Sequence, residues 1–238
     1  MPSTVMHLLS LGLLALLVAP DVQSFVGPAA PFVAAPAVSG LARARTTCSF
    51  SIGMSSAQAD TTKAETAESL KATIRAEAAG TSNGIEATAE QVDAIAKAVG
   101  KLVALNPEPN LSTSTKATGT WDLVYTTTKG SSAGKVGPFV GQVTQEVDIE
   151  DRQYINYVTL GPLKGALDAT WEVQNNKQWK VVFQTIQLSL FGMPVLKKDL
   201  GAQAGIWTLS YMDDDFRVLT ARSLQRDKGN LYVLGRQS

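Results

Sequence analysis

The side chains best equipped for chemistry are scarce, and they sit in an unpromising place. The chain has one histidine, His7, and one cysteine, Cys48. Both fall in an N-terminal stretch that reads as an address, so a mature chain beginning near Gly53 to Ala57 has neither imidazole nor thiol. Serine–histidine or cysteine–histidine nucleophiles, histidine or cysteine metal sites, disulfides and thiol switches are then excluded. Carboxylates remain. Asp213-Asp-Asp215 has the composition of a hard-cation site, but such ions take six or more oxygens from several segments. Three adjacent residues cannot all point one way, and the run reads as a tight turn with local Asp hydrogen bonds. Asp122 and Asp168 would have to serve as an acid–base pair, yet each alternates with the apolar residues of its strand and so lies outside any barrel those residues fill.

Aromatic groups carry more. Trp121, Tyr125, Trp171, Trp179, Phe183 and Trp207 fall on the apolar faces of candidate strands. Trp121, Tyr125, Trp171, Phe183 and Trp207 are the candidate ligand-lining set, because an isoprenoid or acyl chain needs an apolar tunnel with few polar groups. Lining a pocket and filling a core look identical at this level, and Trp121 reads better as a plug closing one end. A late arginine, Arg217 or Arg236, is expected over its ring as a cation–π partner. A second candidate surface is Leu188-Ser-Leu-Phe-Gly-Met-Pro-Val-Leu196 with Lys197-Lys198 after it. Phe191, Val195, Lys197 and Lys198 suit contact with a membrane surface, apolar groups meeting lipid and amines meeting headgroups. A lid over a barrel mouth, or a buried crossing between strands, fits the same residues.

The elements that position these groups begin after the leader. Residues 1–24 have the form of a signal peptide: an apolar run from Leu8 to Ala19, a proline, then a cleavage site after Ser24. Residues 25–54 resemble a transit peptide. From Phe25 to Ala59 there is no Asp or Glu, and Arg43 and Arg45 sit among Ala, Ser, Thr and Pro. A signal peptide followed by such a segment opening on Phe25 resembles the two-part leaders of algal complex plastids. The whole chain carries 21 basic and 21 acidic residues; Arg43, Arg45 and Asp21 precede Ser55, leaving 19 and 20. No basic block exists, which argues against nucleic-acid binding.

Residues 55–238 suffice for one domain. Ala-, Glu- and Lys-rich sequence over 63–79 predicts a helix, broken at Gly80–Gly84. Thr88 and Gln91 predict the capping box of a second, whose apolar stripe of Val92, Ile95, Val99, Leu102 and Val103 ends at Asn106-Pro-Glu-Pro109. From Gly119 the period becomes two. Strands are predicted at 119–126, 142–149, 154–160, 167–173, 179–188, 205–212, 216–222 and 231–236. The fold class is mainly β: an antiparallel barrel of about eight strands over 119–236, preceded by two helices over 63–105. Residues 179–188 carry apolar groups on both faces, which predicts cover on both sides, with the second helix as one of the covers.

Four pieces in order resemble the plastid lipid-associated protein, or fibrillin, family. They are the Gly80–Gly84 break, Asn106-Pro-Glu-Pro109, Gly119-Thr-Trp-Asp-Leu-Val-Tyr-Thr126, and Tyr211-Met-Asp-Asp-Asp-Phe-Arg-Val218 with Gly229-Asn-Leu-Tyr-Val-Leu234. Within them Gly119, Trp121, Tyr125, Tyr211, Asp213, Asp215, Arg217, Gly229 and Asn230 match the family motif. Met212 and Phe216 replace aliphatic residues, and 221–227 lacks the family's Arg-Gly pattern. The resemblance implies a lipocalin-like barrel, without cofactor, that binds plastid lipids, quinones or carotenoids at thylakoids or plastoglobules. Family members are mostly structural or lipid-binding. An enzyme or accessory factor of quinone, carotenoid or lipid metabolism, and a subunit docked on a photosynthetic complex, are the alternatives.

Overall fold

A computed structural model describes residues 65–201, 203–225 and 227–237. The expected signal and transit segments, with His7 and Cys48, lie outside them. Two helices come first: α1 over Ala67–Ala78 and α2 over Ala89–Ala104. Both open on capping boxes, Thr66 with Ser69 and Thr88 with Gln91, so the first-turn N–H groups are satisfied by side chains. Eleven strands follow: β1 Gly119–Thr126, β2 Lys135–Val136, β3 Phe139–Val140, β4 Gln142–Asp148, β5 Gln153–Leu160, β6 Leu163–Asn175, β7 Gln178–Leu190, β8 Met193–Asp199, β9 Ala204–Met212, β10 Phe216–Ser223 and β11 Asn230–Arg236.

The main sheet runs β6-β5-β4-β1-β11-β10-β9-β7-β8, and β6 also pairs with β7. That extra seam closes eight strands into an antiparallel barrel. β7 is long enough to serve two neighbours: Gln178–Val182 pairs with β9 and Thr185–Leu190 with β8. β8 therefore stands outside the ring, as the outer strand of an arm. Its sequence, with Pro194 and two lysines, reads as loop in the linear pattern because proline and lysine are typical of edge strands.

Three bulges decide which side chains face inward. In β1 the register against β11 slips between Leu123 and Tyr125; Trp121 and Leu123 face the interior, whereas Tyr125 turns outward. In β9 it slips between the partners of Val218 and Leu219, so Tyr211 faces out and Leu209 in. In β7 it slips at Gln184: Ala169 opposes Phe183, and Asp168 opposes Thr185. This corrects the two-sided reading of 179–188. Val181, Phe183, Ile186 and Leu188 all share the inner face, because one extra residue swaps the parity of everything after it.

The helix pair docks elsewhere than on β7. Leu70, Ile74, Ile95, Val99 and Leu102 pack on the outward residues Tyr125, Tyr211, Phe216, Val218 and Val233 of β1, β9, β10 and β11. An ionic clasp fixes the layer. Lys71, only 3% exposed, places its Nζ 2.5 Å from both Asp213 Oδ2 and Asp215 Oδ1 and 2.8 Å from Glu68 Oε1. Asp213 Oδ1 meanwhile accepts from the N–H groups of Asp215 (3.2 Å) and Phe216 (2.8 Å), forming the expected turn. The three carboxylates thus converge on an ammonium.

Candidate functional site

The barrel floor is built by residues 106–118 crossing one end. Asn106 Oδ1 accepts the Met212 N–H at 3.0 Å, and the Ser112 N–H donates to the Asn176 carbonyl at 3.1 Å. Leu111 and Ala117 are buried against the interior. Trp121 Nε1 donates to the Ala117 carbonyl at 2.9 Å, so this ring is the plug its position in Gly119-Thr-Trp121 suggested. Both candidate arginines stand over it, Arg236 Cζ at 4.3 Å and Arg217 Cζ at 4.8 Å from the ring centre. They do different work. Arg236 Nη1 donates to the Thr118 carbonyl at 2.8 Å, and its Nη2 and Nε donate to Lys116 and Asp214 carbonyls at 2.5 Å. Gly119 sits at φ +134°, and a Cβ there would collide with Arg236 Nη1. A glycine is required so that the arginine can reach these carbonyls.

Arg217 points inward and is 0% exposed. Its Nη2 donates to Gln145 Oε1 at 2.7 Å. Nε and Nη1 have no partner among the described residues, and Trp171 Nε1 is a further buried donor without one. Burial pushes the guanidinium down to about 9, with Tyr154 opposing and Arg236 adding to the fall, and it stays charged at neutral pH. Burial likewise pushes the Tyr154 hydroxyl up, so it stays protonated.

All four tryptophans of the chain are inside. Trp171 stacks on Trp179 at 4.4 Å, Trp179 on Trp207 at 6.5 Å, and Tyr154 meets Trp207 edge-on at 4.8 Å. Trp179 Nε1 donates to the Ser112 carbonyl at 2.8 Å, tying the stack to the floor. Of the candidate lining residues, Trp121, Trp171 and Trp207 are buried in this core and Phe183 packs on it half-buried. Tyr125 is not there; it lies under the helices. Toward the other end lies a cavity of about 60 Å³ lined by Ser131, Ser132, Asn156, Val158, Leu167 and Ile186 among others. Small-molecule pockets run to roughly 300–1,000 Å³, so a bulky ligand must displace side chains or the covering 127–141 segment.

Beyond that end projects the β7–β8 arm. Leu190 pairs with Met193, leaving Phe191-Gly192 as a two-residue turn with φ +51° and +79°. Such turns favour Asn-Gly, because both central residues take positive φ. Here a phenylalanine occupies the first position with 76% of its surface exposed. Met193 (67%), Val195 (49%) and Phe139 of β3 (63%) are exposed as well. The buried-crossing reading of this segment is thereby removed. Lys197 and Lys198 are exposed but oppose Gln187 and Ile186, so they project from opposite faces of β8.

Asp122 and Asp168 face outward, as alternation required. Asp122 accepts from Thr144, Gln142 and Gln237, and Asp168 from Thr185 at 2.6 Å. At the far hairpin Asn230 pairs with Ala221, and Gly229 leaves room for the Ala221 carbonyl, which a Cβ would meet at 2.9 Å. Lys71 and the cavity's Asn156 had no signal in the sequence; a lone lysine in a charged helix looks solvated until its acid partners, over 140 residues on, are brought to it.

Compared with known families, the chain matches the PAP_fibrillin family model over residues 68–235. The comparison with curated proteins gives no match.

Proposed function

Because the chain belongs to the PAP_fibrillin family, we propose that it is a non-catalytic lipid- or isoprenoid-binding protein of thylakoid or plastoglobule surfaces. The family is plastid-associated, and its members are in general structural or lipid-associated. The observation that carries the reading is the arm: Phe191 spends an unfavourable turn conformation to hold an aromatic ring in the open, beside Met193 and Val195. No packing need explains it, whereas insertion into a lipid surface does. Lys198, on the Leu188 and Leu196 face of β8, and Lys197, on the other, are placed to meet headgroups flanking the tip. The barrel behind the arm then takes the apolar chain of a plastid lipid, quinone or carotenoid.

The full chain is expected to sediment with galactolipid vesicles, and the double substitution Phe191→Glu, Val195→Glu to leave most of it in the supernatant. Unchanged sedimentation of the double variant sinks the arm as membrane contact. Solvent extraction of protein purified from plastids should recover an apolar small molecule. Repeated recovery of empty protein without affinity for quinones, carotenoids or galactolipids overturns the binding reading.

A further inference from the structure

The interior of this barrel is not uniformly apolar, and among the described residues its buried guanidinium, Arg217, has no carboxylate partner. Arg217 lies wholly within the core cluster that contains Trp121, Tyr154 and the tryptophan stack. No carboxylate among the described residues lies in ion-pair reach of it. One of its nitrogens is satisfied by Gln145; two have no protein acceptor. A buried charge with no counter-charge and two unanswered donors is costly, even with Gln145 and the Trp121 ring beside it. Structural need does not account for the group, because Arg236 already covers Trp121 and ties the floor to three carbonyls.

Gln145 is the cross-strand partner of Asn156, and Asn156 lines the cavity beneath Ser131 and Ser132. Leu167 and Ile186 line that cavity from the inner faces of β6 and β7. The cavity's lining stops one residue short of the side chain that holds Arg217, so a head group entering from the arm end must displace interior side chains to reach the guanidinium. At 60 Å³ the cavity suits a small polar head more readily than a ring system.

We propose that the barrel selects an anionic amphiphile, a single apolar chain bearing a carboxylate or phosphate head, and that the oxyanion pairs with the free N–H groups of Arg217. The inference rests on the lipid-binding reading and narrows it from neutral lipids to acidic ones. The tryptophan-lined interior receives chain atoms, and the guanidinium supplies charge-assisted hydrogen bonds in a dry site.

Competition with a fluorescent fatty acid on the full-length protein separates the possibilities. Oleate and oleyl phosphate are expected to displace the probe about tenfold or more better than oleyl alcohol of the same chain. Inorganic phosphate and acetate are expected to displace none. Arg217→Gln, checked for folding by near-UV dichroism, should bring oleate down to the level of the alcohol, with Arg217→Lys between. Equal affinity of oleate and oleyl alcohol for the native chain overturns the proposal without any variant, and leaves neutral-lipid binding standing. Displacement by inorganic phosphate without chain preference overturns the amphiphile. Failure of every chain, acid or alcohol, removes both this inference and the reading beneath it. A folded Arg217→Gln with its preference for oleate intact moves the anion away from Arg217 and ends the proposal.

Discussion

Replacing Lys71 by methionine lowers the stability of the folded chain by about 3 kcal/mol, the lower end for a broken buried ion pair. The lower end applies because Asp215 and Glu68 are at least half exposed and regain water, while Asp213 does not. What remains is a carboxylate pair beside Tyr211 with no cation between it and the helix layer. The pH dependence identifies the cause. Burial alone would raise the Asp213 carboxyl, but hydrogen bonds from Lys71, Tyr211 and the Asp215 N–H outweigh it and hold the group below its ordinary value. A depressed carboxyl contributes stability above its unfolded pKa of about 4, and that contribution is lost as pH falls through the folded value. Burial works against the Lys71 ammonium, yet its bonds to Asp213, Asp215 and Glu68 hold it above the ordinary value. That contribution is complete below about pH 10 and is lost as pH rises through the folded value. Native protein should therefore lose stability at both extremes, and the deficit of Lys71→Met should shrink as pH falls below about 4 and through the folded value of Asp213, where that carboxyl protonates in the native chain as well. Urea midpoints from pH 3 to 8 measure this; a deficit independent of pH would mean that only packing was lost.

Trp121→Ala is the second large effect, about 3–5 kcal/mol, as for other fully buried aromatics. The change removes the floor plug, its hydrogen bond to Ala117 and the ring shared by two guanidinium groups. For a domain of this size the melting temperature should fall by about 10 °C or more. Trp121→Phe keeps a ring under the arginines but leaves the Ala117 carbonyl unanswered, and should recover more than half of the loss. Thermal unfolding of the three proteins checks the order; equal melting of the alanine and phenylalanine variants would deny the ring its part.

What could be read from the sequence is what local pattern encodes. Thr88 with Gln91, the proline stop after Asn106 and the two-residue period of eight strands each depend on neighbours within a few positions. Facing is different, because it depends on a count kept across strands. One extra residue at Val124 sends Tyr125 to the helices, and one at Gln184 gathers Val181, Phe183, Ile186 and Leu188 onto a single side. Neither bulge leaves a mark such as glycine in the bulged position. The helix dock and the Lys71 clasp escaped for a related reason, since both are contacts between the first and last thirds of the domain. Arg217 was legible as a partner of Trp121, but its lack of an acid could be known only once every neighbour had been placed.

The seam between β1 and β11 has a meaning in time as well as in space. Every other seam of the ring joins a strand to one close after it in the chain, so the sheet can grow by successive addition. The β1–β11 seam spans more than a hundred residues and waits for the final strand. Contacts of such separation slow folding, into the millisecond-to-second range typical of barrels. Until then Thr126, whose hydroxyl ends bonded to the Leu231 carbonyl, and the backbone of β1 present an open edge. The same late strand supplies Val233 beneath the helices and Leu234 within the barrel. A chain that stops before Asn230 is thus left as an open sheet with two sticky margins, and β11 is the strand that turns it into a vessel.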